Sequence, residues 1–269
     1  MRAFSHYCFA VAALLGLALL HPAPAAADQL VKFASAAGAA SSPGFSIQGY
    51  LTKPKGDGPF PAVVLLHSCL GLPADRQSIG NTLARWGYVA LFVDDFATRG
   101  LRETCEVDFP EGLADAFGAL GFVAGLPYVD HGRIAAVGYS QGAATALQIA
   151  ALGADSGFPV PDHLGFRAVA AFYPGCAGLA GARLRLPTVI LIGAADSVTP
   201  AADCQRLVGR QSAAADSKLL VYPGAAHVFA DPEFAGGRRL LGMWLQFDPK
   251  AAAQSRSALR DFLAAKLGR

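Results

Sequence analysis

Short, nearly continuous apolar runs alternate along the chain with longer segments whose apolar residues recur at helical spacing. The runs are PAVVLLH (61–67), YVALFVDD (88–95), RIAAVGYS (133–140), RAVAAFYP (167–174), PTVILIG (187–193) and KLLVYPG (218–224). A strand that is apolar at every position, not at every second one, belongs in a sheet buried on both faces, the habit of parallel sheets covered by helices. Between these runs, 76–86, 112–125, 142–152 and 202–212 have the length and periodicity of helices. Asp248-Pro249 reads as an N-cap followed by proline at the first position of a last helix ending near Leu267. Alanine and leucine dominate that helix, with Lys and Arg on its other face, so it reads as a packed outer helix. Segments near 29–34 and 46–52 predict an antiparallel edge, and the Gly- and Pro-rich stretch 153–165 (GADSGFPVPDHLG) predicts a loop. Trp86 and Trp244 fall in stretches read as helical and are assigned to packing. The alternation predicts an α/β class domain, with a mostly parallel, doubly wound sheet and helices on both faces.

Composition supports a large core and narrows the setting. At 53% hydrophobic residues the chain is far from the low-hydrophobicity, high-charge regime of disorder. A net charge of +2 with few Lys or Arg clusters leaves no electrostatic footprint for nucleic acid. Residues 1–27 read as a secretory signal peptide: Arg2 is the positive n-region, 9–20 (FAVAALLGLALL) the apolar h-region, and Ala25-Ala26-Ala27 the cleavage site. The apolar run falls short of the ~20 residues of a bilayer span, so no stable membrane association is expected after cleavage. Residues 28–269 then form a single exported domain, placed in a bacterial periplasm or beyond. Its remaining cysteines, Cys69, Cys105, Cys176 and Cys204, are even in number and bound for an oxidising compartment. With no C-x-x-C pair and no His-x-x-x-His, they do not form a zinc cage, and three disulfide connectivities stay open.

The chemistry concentrates at GYSQG (138–142), where Ser140 stands between an apolar strand and a helix start. This is the strand–turn–helix context of a nucleophile elbow, in which flanking glycines avoid collision and a helix N-terminus faces developing negative charge. A partner acid and then a histidine should follow in that order. Asp196 lies in the loop after PTVILIG and His227 in the loop after KLLVYPG, so two neighbouring strands carry them to one edge of the sheet. His227 can take the Ser140 proton, and Asp196 can fix the imidazole tautomer. Taken singly, Asp196 is as readily a loop cap and His227 a half-buried surface residue; their order is what favours a triad. The backbone N–H of Gln141 and that of Cys69, in the loop after PAVVLLH, are the expected oxyanion donors. His67 reads as a structural residue shaping that loop. His131 and His163 fall away from the expected site.

The segments HSCLGL, FVDDFATRG, GYSQG, GAAD and YPGAAHVF together resemble the dienelactone hydrolase family, over roughly Phe45 to Phe229. The resemblance implies an α/β-hydrolase fold acting on a small-molecule ester or lactone, with no metal or organic cofactor. The founding members of that family use a cysteine nucleophile helped by a glutamate; the matching positions here are Ser140 and Ser68. They also hold a substrate carboxylate with two arginines. Arg99 matches one, and is assigned either to that role or to holding the ATRG loop; the place of the other is Asp231, which would repel an anion. The family's strand order brings Cys69 near Cys105 and Cys176 near Cys204, implying those two disulfides. The expected activity is therefore carboxylic ester hydrolysis through an acyl-enzyme on Ser140. An acyltransferase or peptidase using the same triad, and a non-catalytic binding protein of the same fold, are the alternatives.

Overall fold

In the computed structural model, residues 1, 28–36, 44–107, 109, 111–153, 157–158, 164–212 and 215–268 are described. The leader reading on residues 2–27 lies outside them, as do His163 and most of the loop 153–165. Eight strands form one sheet: β1 (Gln29–Ala34), β2 (Ser46–Thr52), β3 (Phe60–Leu66), β4 (Val89–Asp94), β5 (Val129–Tyr139), β6 (Ala168–Phe172), β7 (Thr188–Gly193) and β8 (Ser217–Tyr222). Their spatial order is β1-β2-β4-β3-β5-β6-β7-β8. β1 and β2 pair antiparallel and β2 runs antiparallel to β4, while every pair from β4 to β8 is parallel. The expected antiparallel edge and parallel centre are both present.

Helices cover both faces, which explains the unbroken apolar runs. On β3, β5 and β7, residues Val64, Ala136 and Ile190 point to one core and Val63, Ala135 and Val189 to the other. The first core is closed by α2 (Gly112–Ala124), α3 (Gln141–Leu152) and α4 (Ala201–Gly209), through residues such as Leu120, Leu147 and Leu207. The second is closed by α1 (Arg76–Arg85) and α5 (Pro249–Leu267), through Leu83, Leu259 and Leu263. Asp248 caps α5 as expected, its Oδ1 accepting from the amides of Lys250 and Ala251 at 2.9 Å each.

β5 begins at Val129, before the run RIAAVGYS, so His131 lies near the strand's entry end, away from the elbow. One local expectation needs correction. Trp244 lies in a strand, not a helix. β9 (Arg238–Leu240) and β10 (Met243–Leu245) form a hairpin whose two connecting residues, Leu241 and Gly242, both have positive φ (49° and 74°). That is the requirement of a tight I′-type turn, whose positive φ values a helix cannot contain.

Candidate active site

β5 delivers Ser140 through a strained turn. Ser140 has φ 51° and ψ −111°, outside the regions open to most side chains, and its amide donates to Phe172 O at 2.9 Å. The flanking glycines are dictated by space. A Cβ on Gly138 would stand 2.1 Å from Gly142 O, and one on Gly142 would stand 2.4 Å from His67 O. The Gly142 amide donates to that same His67 carbonyl at 3.1 Å, which staples the end of β3 to the elbow. Any side chain at either glycine would push the turn apart.

β7 and β8 bring the other two candidates to the same edge. Ser140 Oγ lies 2.9 Å from His227 Nε2, and His227 Nδ1 lies 2.7 Å from Asp196 Oδ2. An ionised carboxylate only accepts, so Nδ1 carries the proton and Nε2 is left to accept from Ser140 Oγ–H. All three are withdrawn from solvent, at 9%, 2% and 5% exposure for Ser140, His227 and Asp196. Thr199, unnoticed in the sequence, completes the carboxylate's surroundings. Its amide and that of Val198 donate to Asp196 Oδ1 at 2.8 and 2.9 Å. Its hydroxyl lies 2.9 Å from Asp196 Oδ2 and 3.1 Å from Tyr173 O. A hydroxyl one turn past the acid, at the start of a helix, was the available signal. The imidazole's backbone is braced by β10: His227 bridges Leu245, and the Gln246 amide donates to His227 O at 3.1 Å.

The loop after β3 and the segment 104–105 meet beside the elbow. Cys69 is bonded to Cys105, and Cys176 to Cys204. Thr104, buried, ties this segment to both expected oxyanion donors: its amide donates to Cys69 O at 2.9 Å and its hydroxyl to Gln141 Oε1 at 2.9 Å. Ser68 organises the turn, accepting from the Leu70 amide on Oγ (3.2 Å) and from the Gly71 amide on its carbonyl (3.0 Å). His67 lies beneath, with Nδ1 2.7 Å from Ser68 O and Nε2 2.7 Å from Asp95 Oδ1. Burial alone would lower its pKa. The charge of Asp95 and its contact, the Ser68 carbonyl and the charge of Asp94 together raise it.

A cleft of about 200 Å³ opens next to this constellation, walled by His67, Tyr139, Tyr173, Val228, Asp75 and Asp231. Tyr139 and Val228 immediately adjoin Ser140 and His227 in the chain, and the Tyr173 ring stands 5.1 Å from the His227 ring. Val228 and Tyr173 share positive φ (57° and 43°), so three strained backbones surround the site. Burial raises the pKa of Asp75, and burial with the nearby Asp75 charge pushes Asp231 up to about 6. Arg99 is not among the residues of the cleft wall. Its guanidinium donates to both oxygens of the fully buried Asp115 (2.8 and 3.1 Å) and to Asp95 O (2.7 Å), so it holds the ATRG loop. Among the described residues no group of three His, Cys, Asp or Glu is placed to hold a metal ion.

Comparison with known proteins agrees with this architecture. Esterase FrsA from Escherichia coli O1:K1 is 30% identical over 109 residues, a match covering 40% of this chain and 26% of the relative. The chain thus spans about a quarter of that curated relative. A crystal structure of a putative dienelactone hydrolase from Klebsiella pneumoniae superposes with a TM-score of 0.66 at 19% identity, covering 88% of this chain and 99% of the other. A dienelactone hydrolase-like promiscuous phosphotriesterase from metagenomic libraries superposes at 0.62 with 23% identity, covering 90% and 100%. These two likenesses establish the α/β-hydrolase fold. The dienelactone hydrolase family model matches residues 47–267, from β2 through the last turn of α5 and so across the elbow, the acid loop and the histidine loop. With that match over most of its length, the chain belongs to the dienelactone hydrolase family.

Proposed function

We propose that this protein is an exported serine hydrolase that cleaves carboxylic esters, lactones included, through an acyl-enzyme on Ser140. The observation that carries the reading is the unbroken relay from Ser140 Oγ to His227 (2.9 Å) and from His227 to Asp196 (2.7 Å), both within general-base reach. Ser140 Oγ attacks the carbonyl carbon as His227 Nε2 takes its proton, and Asp196 stabilises the resulting imidazolium. The negative charge on the carbonyl oxygen is received by the Cys69 and Gln141 amides; losing one such donor typically costs ~2.7–4 kcal/mol in the transition state. His227 then protonates the departing alcohol. Water, deprotonated by the same ring, hydrolyses the acyl-enzyme and returns Ser140 to its hydroxyl form.

Export rests on residues 1–27 and on two disulfides that an oxidising compartment preserves. Ser68 in place of a glutamate suits a serine nucleophile, which has no thiolate to manage. The test is Ser140→Ala. Hydrolysis of p-nitrophenyl acetate and labelling by a fluorophosphonate should both vanish while the circular-dichroism spectrum stays unchanged. In subtilisin removal of the nucleophile lowers kcat by about 10⁶-fold, so a drop of only a few-fold would refute the assignment.

A further inference from the structure

The inner face of α5 changes character along its length. Its buried positions read Ala251, Ala252, Ser255, Leu259, Leu263 and Leu267, small in the first half and large in the second. The leucines fill the space beneath the sheet; the alanines and serine do not. Opposite them, α1 and the sheet supply the large apolar side chains Leu83, Trp86 and Phe172. The result is a chamber of about 280 Å³ walled by Leu83, Trp86, Phe172, Phe247 and Leu259. The space opens to solvent past the exposed Ser78 and Arg256, so it is a deep groove that a ligand can enter.

The chamber is not isolated. Asp75, Ile79, Tyr139 and Ala230 line both it and the cleft beside the triad candidates, so these four form a neck between the two spaces. Tyr139, the residue before Ser140, stacks on Phe172 in the chamber wall with ring centroids 5.0 Å apart. Two polar side chains along the wall are turned inward to their own helices. Ser255 Oγ donates to Ala252 O at 3.1 Å, and Thr82 Oγ1 donates to Ser78 O at 2.8 Å. Within the chamber, then, the wall is mainly aromatic and aliphatic, with Asp75 and the exposed Arg256 as its charged residues; Asp231 lines the neighbouring cleft.

Building on the ester-hydrolase reading, we infer that the chamber between α1 and α5 is a substrate subsite that takes an uncharged apolar group of the ester, an alkyl chain or an aryl ring. Each methylene moved from water into such a site strengthens binding by about four-fold. The apolar group can belong to the acyl or to the alcohol half of the ester, and two substrate series separate these sources. One series is p-nitrophenyl esters from acetate to decanoate; the other is acetate esters of ethanol to decanol.

In one of the two series kcat/KM should rise at least about ten-fold from the shortest member to a mid-length chain. Ala252→Trp, which fills the chamber from α5 and lies outside the triad, should abolish that rise and leave p-nitrophenyl acetate cleavage within about two-fold. Ser255→Leu, a smaller intrusion, gives the same readout should the tryptophan variant fold poorly. A flat profile in both series, with Ser140-dependent acetate cleavage intact, overturns the subsite and leaves the ester reading standing. A binding arm keeps the two claims separate. In Ser140→Ala, decyl acetate should perturb tryptophan fluorescence through Trp86, and Ala252→Trp should weaken its affinity at least about ten-fold. Absence of ester hydrolysis in the wild-type protein, with binding retained, overturns the ester reading alone; unchanged binding in both chamber variants overturns the subsite.

Discussion

At the residue scale, side chains that touch no substrate hold those that would. Thr199 hydrogen-bonds Asp196 through both its amide and its hydroxyl, and it reaches Tyr173 O on the neighbouring strand end. Removing a buried hydroxyl next to a charged acceptor is worth ~1–3 kcal/mol, which corresponds to a fall in rate of about five- to 150-fold. We expect Thr199→Val to lower kcat on p-nitrophenyl acetate by about 10- to 100-fold with KM little changed, and Thr199→Ser to restore most of it. Equal activity in both variants would remove Thr199 from the positioning role. Arg99 and Asp115 make a contrasting case. Surface ion pairs contribute little, but breaking a buried pair strands a charge and costs about 3–5 kcal/mol. Arg99→Ala should therefore lower Tm strongly while leaving the preference between neutral and anionic esters as it was. A selective loss on anionic esters without destabilisation would instead return Arg99 to substrate binding. Asp231 faces the cleft, and its neutral mimic should act the other way: Asp231→Asn is expected to raise kcat/KM for an anionic ester several-fold relative to a neutral one, with the gap largest above about pH 6.

At the scale of elements, the loop after β3 depends on the segment 104–105. The Cys69–Cys105 bond closes a sequence separation of 36 residues, and Cys176–Cys204 one of 28, so chain entropy predicts similar stabilisation of about 2–4 kcal/mol from each. Their effects on activity should nevertheless differ. The first tethers a proposed oxyanion donor directly, whereas the second joins the loop after β6 to α4 within the first core. Replacing Cys105 and Cys69 by alanine should lower kcat at least about ten-fold beyond any loss of stability, while the Cys176/Cys204 double variant lowers Tm with kcat nearly unchanged at low temperature. Equal kcat losses in the two would show that tethering of this loop carries no special weight. The β9–β10 hairpin acts similarly on the histidine loop, since Leu245 and Gln246 brace the His227 backbone.

For the whole molecule, pH couples to stability through His67, which joins the end of β3 to the start of the 94–100 turn. Its folded pKa is raised above the ordinary value of about 6.5, because the contacts to Asp95 and Ser68 outweigh burial. A raised folded value means that the stabilisation is complete below about pH 6.5 and is lost as pH climbs through the folded pKa. Compared with His67→Gln, the wild-type protein should lose Tm progressively above about pH 6.5. Parallel Tm curves for the two proteins would sink this coupling. The consequence reaches the site, because the His67 carbonyl anchors Gly142 of the elbow.

Much of this architecture is legible in the chain alone. Strands buried on both faces must be apolar at every position, so β3 to β7 announce themselves, and the loops that follow β5, β7 and β8 place Ser140, Asp196 and His227 in order. Local chemistry also marks α5, whose Asp-Pro start is a cap any chain would use. Other features exist only once distant segments meet. Thr104 and the bracing by β10 act through hydrogen bonds between residues far apart in sequence, and periodicity carries no trace of them. Arg99 could be assigned only when the fold buried Asp115 beside it, because a guanidinium's role is set by which carboxylate or carbonyl lies within reach. The chamber is the extreme case. Ala252 and Ser255 are ordinary small residues on a helix until α1 and the sheet stand opposite them, and a void belongs to the packing of several elements, not to any one of them.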